Sequence, residues 1–312
     1  MILSASRRTD IPAFYSQWFM NRLREGFVLV KNPRNPNRCS RVRLTPAAVD
    51  CIVFWTKNPR PLLSRLGDIE KMGYPFYFQF TLNPYDERVE PGLPPKTEIV
   101  ETFKQLSEAI GSRRIVWRYD PVIVNREFTV QYHLDSYQKM ADTLGGYTDR
   151  CIFSFVDRYA KSRGRAKGIV DEEVNEWDMN RIAAGFSQIA KEQGMMLSAC
   201  SEKIDLSRYG IARAACIDKE MVERIIGCPI QVRKDLNQRG ACGCSESVDI
   251  GSYDCCLHGC VYCYATMSRT AALNNWQRHN PQSAILIGEP NPADLVTDRE
   301  TKTLKKPQLS LF

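Results

Sequence analysis

The sequence lacks the features of several protein classes. It has only three histidines in 312 residues, which argues against a hydrolase built on imidazole catalysis. No apolar run approaches the roughly 18 residues that a membrane span needs. The start of the chain, MILSASRRTD, has no long apolar stretch, so we expect no secretory signal. Hydrophobic residues at 43% and charged residues at 25% exclude a disordered chain.

Cysteine, in contrast, is abundant. There are twelve cysteines, and six of them fall between Cys242 and Cys263. In a chain without a secretory signal, we expect a cytoplasmic location and reduced thiols. The cysteines are then better interpreted as metal ligands or catalytic thiols than as a disulfide framework.

Positive charge is concentrated near the start of the chain. Residues 1–60 contain eleven Lys and Arg against three acids, whereas the whole chain has a net charge of +7. The loop RYAKSRGRAK, residues 158–167, is also basic. Both segments fit a polyanionic partner such as DNA or RNA; the alternative is an ordinary solvated surface.

Short apolar runs recur along the first two thirds of the chain, with helical segments between them. The runs are continuous rather than alternating, which predicts strands buried on both faces. The predicted strands are Ile2–Ala5, Cys51–Trp55, Phe76–Thr81, Ile115–Arg118, Cys151–Phe155 and Met195–Ala199. Helices are expected after a cap at Thr9 or Asp10, near 97–110, 129–144 and 172–193, and over Ala265–His279.

Repeated strand–helix units predict an α/β fold with a parallel sheet, in the form of a closed or partial TIM-type barrel. We predict a barrel core over residues 1–205 and a cysteine-rich segment over 206–280 that closes the barrel. The segment from Pro281 to Lys306 has prolines, charges and little apolar content, which predicts that residues 281–312 form a flexible tail.

Polar side chains follow each predicted strand. Because parallel strands place their carboxyl ends at one edge of a sheet, we expect these side chains to line one pocket and to hold a cofactor or substrate. The alternative is that strand ends simply meet solvent. The candidates, called the rim residues below, are Arg7, Asp10, Lys57, Asn58, Asn83, Arg118, Asp120, Ser154 and Glu202.

The segment Cys256–Cys263, called the cysteine loop below, has the sequence CLHGCVYC and C-x3-C-x2-C spacing. Three thiolates on one tight loop can bind three irons of a cubane cluster and leave the fourth without a protein ligand. An open coordination position is typical of a catalytic rather than a structural metal site. The alternative is a zinc site in which His258 or Cys255 supplies the fourth ligand.

With Tyr262 before its last cysteine, the loop resembles that of the radical S-adenosylmethionine superfamily. The longer string CLHGCVYCYA is similar to the cluster loop of the spore photoproduct lyase branch, and SRRTD, FWTKNP, FTLNPY and RYDPV are similar to its strand-end motifs. Over essentially its full length the chain resembles a bacterial family in that branch that is defined only as a domain of unknown function.

The resemblance implies that Cys256, Cys260 and Cys263 bind a 4Fe–4S cluster whose free iron chelates S-adenosylmethionine. One electron, from an unidentified donor, would cleave this cofactor to a 5′-deoxyadenosyl radical, and Tyr262 would pack beside the cluster and the adenine. By analogy with photoproduct repair, the expected substrate is a nucleic-acid lesion or modified base. The alternatives are the same chemistry on a small molecule, peptide or RNA, and a non-catalytic zinc protein that binds DNA.

Enzymes of this kind carry the cysteine loop after their first strand, whereas here it lies near the end of the chain. A circular permutation would explain the difference, since permutation is tolerated where termini lie close together. In that case Ser247–Tyr253 would supply the strand before the loop, and Ala265–His279 the helix after it. This hypothesis predicts that the three cysteines lie at the mouth of the sheet made by residues 1–200.

The other cysteines divide into three groups. Four of them could form a second site for zinc or an auxiliary iron–sulfur cluster; buried apolar packing is the alternative. These four are Cys200, Cys216, Cys242 and Cys244. Cys51 and Cys151 begin apolar strands and are expected in the core, and Cys39, Cys228 and Cys255 have no assigned role.

The chain ends in a short motif after the basic spacer KKP. Its residues are Gln308, Leu309, Ser310, Leu311 and Phe312. They resemble the peptide by which bacterial polymerases and repair proteins bind the sliding clamp, in which apolar anchors enter a groove. The motif therefore predicts the clamp as a partner and favours a role on DNA.

Overall fold

The computed structural model describes residues 1–159 and 162–306. The strands are β1 (Ile2–Ala5), β2 (Phe27–Asn32), β3 (Asn35–Arg43), β4 (Cys51–Thr56), β5 (Phe76–Thr81), β6 (Ile115–Val122), β7 (Arg150–Phe155), β8 (Met196–Ala199), β9 (Ala212–Arg213), β10 (Val248–Asp249) and β11 (Leu295–Asp298). The α-helices are α1 (Ile11–Phe14), α2 (Ser16–Glu25), α3 (Arg60–Leu63), α4 (Leu66–Lys71), α5 (Lys96–Ile110), α6 (Val130–Leu144), α7 (Glu176–Glu192), α8 (Lys219–Ile226) and α9 (Arg269–Gln277).

Eight of these strands form one parallel sheet in the order β10-β1-β4-β5-β6-β7-β8-β9. In the described part of the chain β9 and β10 remain its two edges, so the sheet does not close and is consistent with a partial α/β barrel. The predicted α/β class and parallel sheet are confirmed. All six predicted strands form, within a few residues of their predicted ends.

The sheet is buried on both faces, as its continuous apolar strands require. One face packs against the helices through a large aromatic core that includes Phe54, Phe78 and Trp117. The opposite face packs against a second cluster, in which Val53 and Val116 meet residues from the cysteine-rich segment, among them Ile217. That segment therefore covers one face of the sheet.

The local sequence explains how the chain turns at the end of β1. Asp10 lies at the N-cap of α1, where its Oδ1 accepts a hydrogen bond from the Ala13 N–H at 2.9 Å. Pro12 occupies the first turn of this helix, where no intrahelical donor is needed. The predicted cap is thus present, and it fixes Asp10 directly beside the carboxyl end of β1.

A second, three-stranded sheet has the order β11-β3-β2. The prediction of a flexible tail is wrong for residues 281–306, because β11 pairs with β3 and Ile285 and Leu286 are buried. The indole N–H of Trp18 also donates to the Ser283 carbonyl at 2.9 Å. Hydrogen bonding and burial outweigh the polar composition of this segment. The predicted clamp-binding motif, residues 308–312, lies outside the described residues.

The helices of the described residues are all too short or too polar to cross a membrane.

Candidate functional site

The cysteine loop is fixed to the first strand of the sheet by a short strand of its own. β10 pairs in parallel with β1. Its last residue, Asp249, accepts hydrogen bonds from Ser4 Oγ at 2.9 Å, Ser6 Oγ at 2.6 Å and the Arg7 N–H at 2.8 Å. Sequence reasoning missed Asp249, which is a single acid between two apolar residues. The only feature of the sequence that could have indicated a role for Asp249 is its position within the predicted strand Ser247–Tyr253.

Beyond β10 the loop packs on the carboxyl ends of β1 and β4. The His258 Nε2–H donates to Asp10 Oδ2 at 2.8 Å, and the Lys57 N–H donates to the same oxygen at 2.7 Å. His258 and Asp10 are 3% and 5% exposed. One carboxylate after β1 therefore links the loop to the end of β4.

The loop also packs against the segment that follows β5. The Gly92 N–H donates to the His258 carbonyl at 2.8 Å, and the Val261 N–H donates to the Val89 carbonyl at 3.0 Å. A Cβ on Gly92 would lie 2.5 Å from the Leu257 carbonyl oxygen. Only glycine allows this close approach of the two backbones.

A buried charged network lies under Tyr262. The Tyr262 hydroxyl donates to Glu90, and Glu90 forms ion pairs with Lys57 at 2.7 Å and with Lys96. Asn83 Nδ2 donates to the Tyr262 hydroxyl oxygen at 3.1 Å. Burial opposes the charged form of Glu90, but the two lysines hold its pKa at about 2. Glu90 was missed, since it lies in a polar stretch nine residues beyond the strand.

A second polar group occupies the ends of β6 and β7. Asp120 accepts hydrogen bonds from Arg118 and from the Ser154 hydroxyl through different oxygens. Asn83 joins the two groups, because its Oδ1 accepts from the Asp120 N–H at 2.8 Å and its Nδ2 donates to the Asp120 carbonyl at 2.9 Å. Burial opposes the charged form of Asp120, and Arg118 and Ser154 nevertheless lower its pKa.

The other rim residues have more local roles. Asn58 Oδ1 accepts from the Arg60 N–H at 3.3 Å at the start of α3. Glu202 accepts from the Phe155 N–H at 2.9 Å, and burial raises the pKa of this carboxyl group to about 7. Arg7 lies over the Trp55 ring, with its guanidinium carbon 5.0 Å from the ring centroid.

The three thiols of the cysteine loop lie close enough to interact electrostatically. Burial raises the pKa of Cys256, and the neighbouring Cys260 and Cys263 raise it further. Burial also raises the pKa of Cys260 to about 12. Within residues 1–159 and 162–306, no three His, Cys, Asp or Glu side chains form a group arranged to hold a metal ion. The three thiols are thus neighbours, and burial favours the protonated forms of Cys256 and Cys260.

The four other predicted ligands also come together. The Sγ atoms of Cys200 and Cys216 are 3.3 Å apart. Cys244 lies close enough to Cys216 and to Cys242 to raise the pKa of both thiols. The expectation that Cys51 and Cys151 belong to the core is confirmed, since both are fully buried.

The basic segments are only partly exposed. Arg22 is fully buried and pairs with Glu25, and Arg165 turns inward to donate to the Cys263 carbonyl at 2.6 Å. Lys161 lies outside the described residues. The cations that do face solvent include Arg34, Arg38, Arg41 and Arg43 around β3, and Arg158, Arg163 and Lys167 in the basic loop.

The fold and site define a parallel α/β protein with a cysteine-rich loop at the carboxyl edge of its sheet. Residues 2–265 match the family model described as "Domain of unknown function (DUF1848)", and the chain belongs to this family. A crystal structure from Bacteroides thetaiotaomicron VPI-5482, assigned as an alpha-L-fucosidase, aligns over 75% of this chain and 83% of its own, with 11% identity and a TM-score of 0.29. No curated protein is significantly similar to the chain.

Proposed function

We propose that this chain is a radical S-adenosylmethionine enzyme that holds a 4Fe–4S cluster on Cys256, Cys260 and Cys263. The observation that carries the proposal is the position of the loop. Its three closely spaced thiols lie beside the polar ends of β1, β4 and β5, joined to them through Asp10 and Glu90. A cofactor bound there would face the groups that parallel α/β proteins use for chemistry.

The donor set of the loop fits a cubane better than a closed zinc site. A cubane spreads three thiolates over three irons, so the ligands need not converge on one point. A zinc site needs a fourth ligand, and both candidates are engaged elsewhere. His258 Nε2 donates to Asp10 while its Nδ1 faces the Gly92 carbonyl at 3.5 Å, and Cys255 Sγ donates to the Ser252 carbonyl at 2.9 Å.

When bound, the cluster supplies the electron that cleaves S-adenosylmethionine to methionine and a 5′-deoxyadenosyl radical, which takes a hydrogen atom from the substrate. The chain's own residues would orient the reactants and exclude water. Asp120 and Ser154 would bind polar groups of the cofactor or substrate. Tyr262, fixed by Glu90 and Asn83, would pack beside the cluster and the adenine.

The strand order supports a circular permutation as the origin of the late cysteine loop. β10 lies next to β1 at the edge of the sheet. Moving β10, the loop and α9 to the front of the chain would make strand order follow chain order across the whole sheet. A rearranged chain that begins at Ser247 and joins the old termini by a linker should fold; failure of several linker lengths would count against the idea.

Anaerobic reconstitution with iron and sulfide tests the proposed function. We expect about four irons and four sulfides per cluster, and 5′-deoxyadenosine after addition of S-adenosylmethionine and a strong reductant. Relative to the wild type, the triple Cys256, Cys260 and Cys263→Ala variant should bind about four fewer irons and four fewer sulfides and should form no 5′-deoxyadenosine, whereas Cys228→Ala should match the wild type in both. Wild-type protein that binds only zinc and forms no 5′-deoxyadenosine would overturn the proposal and favour the DNA-binding zinc protein.

For the substrate, we propose a nucleic-acid lesion or modified base. The exposed arginines around β3, Arg34, Arg38, Arg41 and Arg43, support a polyanionic partner. Reconstituted enzyme should convert ultraviolet-irradiated or modified DNA to a new product, and duplex affinity should fall steeply with salt. Exchanging these arginines for glutamine should weaken binding, whereas exchanging the paired Arg88 should not. Product from RNA, a peptide or a small molecule alone would assign the chemistry to another substrate class.

A further inference from the structure

A second group of thiols lies inside the molecule, away from the cysteine loop. Cys200 follows β8, Cys216 follows β9, and Cys242 and Cys244 precede β10. All four are at most 8% exposed. The Sγ atoms of Cys200 and Cys216 are 3.3 Å apart, Cys244 lies close enough to Cys216 and Cys242 to shift their titration, and the Ile217 N–H donates to Cys244 Sγ at 3.4 Å. The group is continuous although it comes from three separate segments.

Two arginines face this group. The Arg118 Nη1 donates to Cys216 Sγ at 2.7 Å, and Arg7 lies close enough to Cys244 for the two groups to interact electrostatically. Their guanidinium carbons lie 5.2 and 5.0 Å from the centroid of the same ring, that of Trp55. Buried cations require negative partners, and neutral thiols are weak ones.

The Arg7 side chain is largely buried, and the carboxylates near it are those of Asp235 and Asp249. Its Nη2 is buried and has no hydrogen-bond partner. Its nearest carboxylate oxygen is that of Asp235, at 3.8 Å from Nη1. A buried guanidinium nitrogen without a hydrogen-bond partner lies beside this set of thiols, and an acceptor such as a thiolate would satisfy it.

We propose that Cys200, Cys216, Cys242 and Cys244 are the ligands of a second metal centre, occupied by a zinc ion or an iron–sulfur cluster. Four thiolates around one divalent ion carry two net negative charges, which the guanidinium groups of Arg7 and Arg118 would balance. The thiols here form a chain of contacts and are not arranged around an ion. Loading therefore requires their side chains to turn inward and to release their protons.

The segment that contains these cysteines has little regular secondary structure, so a metal centre would help to stabilise it. Between β8 and β10 the regular structure consists of the two-residue strand β9, the eight-residue helix α8 and a single 3₁₀ turn. This segment nevertheless covers one face of the sheet. Bound metal stabilises segments with little secondary structure by joining distant positions. The metal would also lie next to Arg118, whose other nitrogen binds Asp120 among the rim residues.

The test uses the full chain with Cys256, Cys260 and Cys263 all changed to Ala, so that the proposed cluster of the cysteine loop cannot contribute. The protein is loaded with zinc, with cobalt, or anaerobically with iron and sulfide. We expect the variant to bind one equivalent of zinc, to show a thiolate-to-cobalt charge-transfer band, or to bind iron with matching sulfide. Comparison of zinc loading with iron loading then shows which metal the site holds. Metal retained by this variant supports the second centre whether or not the cysteine loop binds a cluster.

Further single changes in the same variant locate the ligands. Cys242→Ser and Cys244→Ser should each lower bound metal at least tenfold at limiting metal concentration, whereas Cys228→Ser, in the same segment, should leave it unchanged. Circular dichroism establishes that each variant is folded. The proposal is overturned if the triple variant binds none of the three metals. It is also overturned if Cys228→Ser lowers metal binding as much as Cys242→Ser does.

Discussion

Asp10 and His258 are joined by a 2.8 Å hydrogen bond, although 248 residues separate them in the chain. The same carboxylate oxygen accepts from the Lys57 N–H, and the other oxygen caps α1. A single buried side chain thus fixes three segments: the end of β1, the end of β4 and the cysteine loop. The geometry of the loop should depend on this residue more than on any contact within the loop.

Asp10→Ala should therefore loosen the cysteine loop. The change leaves buried donors of His258 and Lys57 without an acceptor, which costs about 1–3 kcal/mol for each. We expect the thiols of the loop to react faster with iodoacetamide in native buffer, as mass spectrometry would show, while the core thiol of Cys51 stays unreactive. Asp68→Ala, at an exposed position, serves as the control. Equal alkylation rates in both variants would contradict the assigned role of Asp10.

Gly92→Ala should displace the loop by steric conflict alone. The new Cβ would lie 2.5 Å from the Leu257 carbonyl oxygen and 2.7 Å from that of His258, and overpacking of this kind costs about 1–3 kcal/mol. Gly67→Ala is the matched control, because nothing lies within 4 Å of its Cβ position and Ala favours the helix. The free energy of unfolding in urea is measured for both variants. The proposed steric conflict is contradicted if Gly92→Ala is as stable as the wild type.

Glu90→Gln should destabilise the protein strongly. Glu90 pairs with Lys57 and Lys96 while fully buried, and removal of one partner from a buried ion pair typically costs about 3–5 kcal/mol. Glu98→Gln removes an exposed pair with Arg60, which is worth about 0–1 kcal/mol. Chemical denaturation should show a much larger loss of unfolding free energy for Glu90→Gln than for Glu98→Gln. Similar losses in the two variants would show that the Glu90 network is solvated.

His133 should make the protein less stable in mild acid. Its Nδ1 accepts from the Tyr119 hydroxyl at 2.8 Å, its Nε2–H donates to the Ile123 carbonyl at 2.7 Å, and burial lowers its pKa to about 4. The unfolded chain binds the proton near pH 6.5, so stability is lost as the pH falls from about 6.5 toward 4. The loss should reach about 2 kcal/mol between pH 7 and pH 5. His133→Gln should be less stable at pH 7, with a flatter pH profile; an unchanged profile would exclude His133 as the cause.

The sequence predicted the sheet well because its strands are buried on both faces. A continuous apolar run such as Phe76–Thr81 is stable only where both faces of the strand are buried, and β5 forms over those residues. Periodicity did not find β2, β3 or β11, which belong to a small second sheet. In β2 and β3 buried residues such as Val28 and Val42 lie among exposed, charged ones such as Arg41 and Arg43, and all four residues of β11 are exposed. Their pairing depends on tertiary contacts that leave little pattern in a single sequence.

The candidate site was predictable only in part. Strand ends and cysteine spacing located Asp10, Lys57, Asn83 and the loop, because parallel strands bring their ends to one edge. Glu90 and Asp249 were missed because each acts through a contact with a distant segment, and nothing local distinguishes them from surface acids. The close contact between Gly92 and the cysteine loop was missed for the same reason, because a glycine in a proline-rich stretch is typical of any turn.

The last described residues are attached at the amino ends of the strands. Thr303 Oγ1 and the Leu304 N–H donate to Asp50, directly before β4, and the Lys306 N–H donates to the Pro229 carbonyl. The last described residue, Lys306, therefore lies on the side of the sheet opposite the cysteine loop. The described chain thus ends at one edge of the sheet, while the polar strand ends and the cysteine loop occupy the other edge.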